Sequence, residues 1–97
     1  MALFVIERTF VEQLGLDAAT LEAVETYNRD ANLRWLFSFL SLDRKKTFCL
    51  YEARDKEALL KQARDLGLPA DVVTEVSELN PQMFTTGASV SGHLAAL

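Results

Sequence analysis

Leu33 to Ala53 reads LRWLFSFLSL-DRKK-TFCLYEA, and this stretch decides the fold. Its first ten residues place Trp35, Phe37 and Phe39 at a spacing of two, and aromatic and branched residues suit a pleated, half-buried strand. The last seven repeat the pattern, with Phe48, Leu50 and Tyr51 as bulk. Asp43-Arg44-Lys45-Lys46 between them is polar and of hairpin length. Two adjacent antiparallel strands therefore stand in the middle of the chain.

Upstream, Leu3 to Phe10 is a further strand, rich in Phe, Val and Ile. Gly15 interrupts that pattern. Asp17 is placed to accept bonds from free backbone N–H groups at a helix start. The helix that follows sets Leu21, Val24, Tyr27 and Ala31 on one stripe. Asn28 falls on the same inner side, where a bond to nearby backbone is the expectation. Glu22, Glu25, Arg29 and Asp30 face water.

Downstream, Asp55 caps a second helix whose inner side is Ala58, Leu59, Gln62, Ala63 and Leu66. Gly67 stands where a left-handed stop is needed, and Leu68-Pro69 follows it. Val72 to Leu79 is the fourth strand. Asn80-Pro81 closes the regular part, so the domain is expected over 1–79. Residues 80–97 are rich in Gly, Ser, Thr and Ala. They are expected to form a tail, loose or docked on a neighbour through Met83 and Phe84.

The order is β-α-β-β-α-β. Right-handed crossovers interleaved around a central hairpin give an α+β, ferredoxin-like domain. Its four-stranded antiparallel sheet has the order 4-1-3-2, and two helices lie on one face. Alternation divides the strand residues into two sets. Phe4, Ile6, Leu36, Leu40, Phe48, Leu50, Val72 and Val76 are expected beneath the helices. Leu3, Val5, Glu7, Trp35, Phe37, Phe39, Cys49, Tyr51, Val73 and Glu75 are expected on the open face. An apolar face of that size is rarely left bare by a monomer, which predicts a homodimer. Arg8 and Glu52 share the helix side in this parity and are expected to pair or to lie at the sheet margin.

With strands 1 and 3 read as parallel neighbours, Glu7, Tyr51 and Glu75 converge on the open face. Cys49 lies one step along, and Trp35 and Phe37 line the same region. Two carboxylates, a phenol and a thiol in partly apolar surroundings suit proton transfer or a divalent transition metal. The bland readings stand beside this one. A cysteine is often a small buried hydrophobe, Glu7 and Glu75 can be solvated or paired, and the aromatics can simply pack. His93, the sole histidine, lies in the tail and reaches a metal only if the tail docks.

Composition excludes several classes. The chain has 97 residues, 49% of them hydrophobic, enough for one core. Its net charge of −4 offers no basic stripe for nucleic acid. No apolar run is long enough to cross a bilayer. Met1 to Phe10 carries Glu7 and Arg8 and lacks a basic start, so it reads as a strand rather than a signal peptide. Cys49 is the sole cysteine, which rules out an internal disulfide and points to the cytoplasm. There is no CxxC, HExxH, glycine-rich phosphate loop or nucleophile elbow.

Five segments carry a family resemblance: Val5-Ile6-Glu7-Arg8; Arg34-Trp35-Leu36 with Ser38; Phe48-Cys49-Leu50-Tyr51-Glu52-Ala53; Gly67-Leu68-Pro69-Ala70-Asp71; and Thr74-Glu75-Val76. Together they resemble a family of small bacterial ferredoxin-like domains related to a nickel-binding protein. The likeness covers about residues 3–79. It implies a ferredoxin-like fold, a dimer, and Ni²⁺ or another divalent transition metal in some members. Glu7, Cys49, Tyr51 and Glu75 match recurring positions of that family. Three functional classes stay open: a dimeric binding protein for a transition metal such as nickel; a cofactor-free enzyme or small-molecule binder with a pocket beside the sheet; and an interaction or regulatory subunit without a pocket. Binding ranks ahead of catalysis.

Overall fold

In the computed structural model, residues 1–15 and 17–82 are described. The elements are β1 (Ala2–Thr9), α1 (Ala18–Asp30), β2 (Arg34–Leu40), β3 (Lys46–Ala53), α2 (Lys56–Leu66) and β4 (Val72–Val76). They form one four-stranded sheet in the order β2-β3-β1-β4, equivalent to the expected 4-1-3-2. Met83, Phe84 and His93, on which the expectations for the tail rest, lie outside the described residues.

Each helix starts where its aspartate stands. The Asp17 carboxylate accepts the Thr20 N–H at 2.7 Å, and Asp55 accepts that of Ala58 at 2.9 Å. Both bonds satisfy N–H groups that a helix leaves free in its first turn. α2 ends at Gly67, whose φ of 67° is left-handed, and the next N–H, that of Leu68, returns to the Ala63 carbonyl at 2.9 Å. A glycine enters that region without steric penalty, so the chain can reverse toward β4 within a few residues.

Every pair of neighbouring strands is antiparallel. This corrects the reading of strands 1 and 3 as parallel. β3 returns directly from β2 through the Ser41–Lys46 turn, where Ser41 N–H bonds to the Lys46 carbonyl at 2.9 Å. A strand delivered by a hairpin must oppose β2, and since the α1 crossover makes β1 and β2 run the same way, it opposes β1 as well.

The pairing register reassigns the two faces. Phe4 stands opposite Tyr51 and Ile6 opposite Cys49. Residues directly opposite one another share a face. Phe4, Ile6, Cys49, Tyr51 and Ala53 are buried with Leu59 of α2 and with Leu33. Each large apolar side chain so buried contributes about 1.5–3 kcal/mol. The other face carries Leu3, Val5, Glu7, Phe48, Leu50 and Val72, by the same registers. Phe48, Leu50, Val72 and Val76 were expected under the helices and lie on the open face instead. Cys49, Tyr51 and Val73 were expected in the open and lie beneath the helices.

β2 adds a second departure. Trp35 pairs with Tyr51 but Phe37 pairs with Leu50, so two residues of β2 oppose one of β3. The extra residue, Leu36, reverses the alternation. Trp35 therefore turns toward the core while Phe37 and Phe39 turn outward, 51% and 66% exposed. Glu52 also lies on the outer face, where it meets Arg34 at 3.2 Å, not Arg8.

Candidate functional site

Four polar side chains are buried between the helices and the sheet. Arg8 comes from β1, Tyr51 from β3, Asn28 from α1 and Gln62 from α2, and each is at most 5% exposed. Arg8 donates from Nη1 to the Pro69 carbonyl at 2.6 Å and from Nη2 to Gln62 Oε1 at 3.0 Å. Gln62 Nε2 donates to Asn28 Oδ1 at 2.7 Å and to the Tyr51 hydroxyl at 3.0 Å. Asn28 Nδ2 donates to the same hydroxyl at 3.2 Å.

The direction of these bonds is forced. A guanidinium can only donate, so it must face the oxygen of Gln62, and the Gln62 nitrogen then faces the oxygen of Asn28. Both amides consequently donate to Tyr51. Burial pushes the Tyr51 phenol pKa up, opposed by the hydrogen bonds from Gln62 and Asn28 and by the nearby Arg8 charge. The phenol stays protonated across the neutral range.

Beside this cluster is a cavity of about 290 Å³, lined by Arg8, Tyr51 and Cys49 on its sheet side, Leu21 and Val24 of α1, and Trp35, among others. Trp35 lies parallel to the Tyr51 ring, with centroids 6.3 Å apart, and its indole N–H donates to Ser38 Oγ at 2.8 Å. The Cys49 thiol is buried, and its sulfur is 3.6 Å from Thr47 Oγ1. Two other recesses, of about 350 and 530 Å³, are lined by Leu33 and Arg54 with their neighbours and by residues of α1 with Leu66 of α2. Neither includes any of the four buried polar side chains.

The sequence candidates separate. Cys49, Tyr51 and Trp35 line the cavity. Glu7 pairs with Phe48 and Val72 on the opposite face, where its carboxylate is 3.4 Å from Lys46 Nζ. Phe37 is also on that face, opposite Leu50. Glu75 stands opposite Phe4 on the edge strand and is exposed. The expected grouping of Glu7, Cys49, Tyr51 and Glu75 on one face is therefore corrected, because the antiparallel register turns Glu7 away from Tyr51. Arg8, Asn28 and Gln62 were not among the candidates. A signal for them exists: both helices carry an amide on the inner side, and a buried amide requires polar partners.

Transition-metal binding requires several converging donors. Among the described residues, no group of three or more His, Cys, Asp or Glu comes together. The cavity offers one thiol and no carboxylate, so its donors do not fit nickel.

A family model described as "Nickel responsive protein SCO4226-like" matches residues 4–76. Among solved structures, the crystal structure of SCO4226 from Streptomyces coelicolor A3(2) is similar, with a TM-score of 0.61 and 19% identity. The match covers 81% of this chain and 100% of that one. At that identity the likeness concerns the fold. No curated protein matches the chain.

Proposed function

Because the chain belongs to the nickel responsive, SCO4226-like family but gathers no cluster of metal ligands among its described residues, we propose that it is a binding domain for a small molecule. The ligand enters the cavity between α1 and the sheet. One observation carries this reading: a cavity of about 290 Å³ whose apolar lining is interrupted by buried polar groups of β1 and β3. Binding sites are commonly concave, mostly apolar and oriented by a few polar groups. The protein acts in the cytoplasm as a homodimer, with the open sheet face as the interface.

Trp35 is the sole tryptophan and lines the cavity, which gives a direct assay. Titration with indole-free apolar probes such as toluene is expected to change Trp35 emission saturably. Emission left unchanged by toluene and by its polar aromatic analogues alike, each up to its solubility limit, refutes the reading.

The family description favours a second reading, in which nickel or another divalent transition metal is bound. Its ligands would have to include residues of a second copy or residues beyond the described ones. Equilibrium dialysis against Ni²⁺, Zn²⁺ and Cu²⁺ tests it. Metal retained in fixed proportion to protein supports the reading, and metal-free protein removes it.

A further inference from the structure

We propose that the cavity takes a small amphipathic carboxylate, whose anionic head is received jointly by the Arg8 guanidinium and the Tyr51 hydroxyl and whose apolar body lies along α1 and Trp35. This rests on the cavity being a ligand site and names the chemistry of what fills it.

The first reason is a charge without a counter-charge. Arg8 is 4% exposed, yet no described carboxylate forms an ion pair with it. Its partners are a carbonyl and an amide oxygen, both neutral. A buried charge carries a desolvation penalty of several kcal/mol, and such charges are ordinarily paired. The two bonds use two of the five guanidinium N–H donors, and no other described acceptor takes the rest. Arg8 lines the cavity, so an acceptor can arrive from there.

The second reason is a proton without an acceptor. The Tyr51 oxygen receives N–H groups from Gln62 and Asn28, which use both of its lone pairs. Its own O–H has no acceptor among the described residues. Burial keeps that proton in place. Gln62 thus does two things: it bonds to Arg8, and with Asn28 it leaves Tyr51, a lining residue of the cavity, only its O–H to offer.

The lining selects the rest of the ligand. Leu14, Leu21, Val24, Leu40 and Leu68 offer an apolar enclosure beside the Trp35 ring. An apolar cavity of about 150 Å³ holds one benzene. A cavity of about 290 Å³ has room for a single ring or short branched chain with an acidic arm. One cation and one hydroxyl donor match a monoanion. A phosphate dianion would bring a second charge into an apolar wall, which is costly.

The experiment compares phenylacetate with phenylacetamide, its neutral counterpart of the same skeleton. Both are titrated into the full chain by Trp35 fluorescence and calorimetry, with toluene as the purely apolar probe. Phenylacetate is expected to bind at least about tenfold more tightly than the amide, as a charge-assisted bond would require. Arg8→Met is expected to bring the two ligands within about threefold of one another. Tyr51→Phe, the milder change, is expected to weaken phenylacetate binding by about fivefold and to narrow its advantage over the amide. Gln62→Glu supplies an internal carboxylate to Arg8 and draws the Tyr51 proton inward, so it should abolish the anion preference in a folded protein. Equal binding of acid and amide by the unaltered chain, or a preference that survives both Arg8→Met and Gln62→Glu, overturns the inference while toluene binding upholds the cavity. If none of the three probes binds, the cavity reading fails with it.

Discussion

Gln62→Leu removes a side chain of nearly the same size from the centre of the buried network. Three bonds disappear: the one from Arg8 at 3.0 Å, and those to Asn28 at 2.7 Å and Tyr51 at 3.0 Å. The first is charge-assisted and worth about 1.5–3 kcal/mol, and the neutral ones are worth about 1 kcal/mol each. Gln62 is fully buried and Asn28 lies outside the cavity lining, so the bond between these two amides is not replaced by water. Leucine regains some apolar burial, and the net cost is roughly 2–4 kcal/mol. A domain of this size holds only about 5–15 kcal/mol in total, so the variant stands near the edge of folding. Urea unfolding followed by circular dichroism measures the effect as a fall in midpoint at constant slope. Gln62→Glu keeps an acceptor for Arg8 but gives up both donations from Nε2, so it should cost less than Gln62→Leu without being neutral. A loss of less than about 1 kcal/mol in Gln62→Leu would refute the reasoning, because it would mean that the four polar groups are not energetically connected.

Gly67→Ala puts a side chain on a residue at φ 67° with no atom near the added carbon, so the cost is purely conformational, about 1 kcal/mol by thermal unfolding. Backbone bonding to Thr20 holds the Asp17 carboxyl below its ordinary value of 3.8, the Ser41 hydroxyl and then the Lys45 N–H do so for Asp43, backbone bonding to Ala58 does so for Asp55, and bonding to Lys61 does so for Asp65. A depressed folded-state value means that the stabilisation is complete above the unfolded value and fades as pH falls through the folded one. The melting temperature should thus be level above about pH 5 and drop below about pH 4. The open face should pair two copies, because Phe37, Phe39 and Phe48 are exposed together there. Light scattering at micromolar concentration should give twice the chain mass, and Phe39→Glu should halve it. A single-chain mass for the unaltered protein removes the dimer.

The elements and their order are legible in the sequence because local physics sets them. Asp17, Asp55 and Gly67 act on the nearest few backbone groups, and the polar run from Asp43 supplies the turn before β3 begins at Lys46. From those elements, chain connectivity leads to the sheet order. The face on which each strand residue lies is a different matter. A spacing of two separates two sets but does not say which set is inside, and in β3 both are apolar: Phe48 and Leu50 against Cys49 and Tyr51. Hydrophobicity alone favours the phenylalanine, yet Phe48 is 36% exposed and Tyr51 is 2% exposed. Antiparallel pairing with β1 made that choice, and the extra residue at Leu36 reversed it once more within β2. The site followed the same decision. Arg8, Asn28, Tyr51 and Gln62 lie on four elements far apart in the chain, and only tertiary packing can bring a donor-only guanidinium to one end of two amides and a phenol to the other.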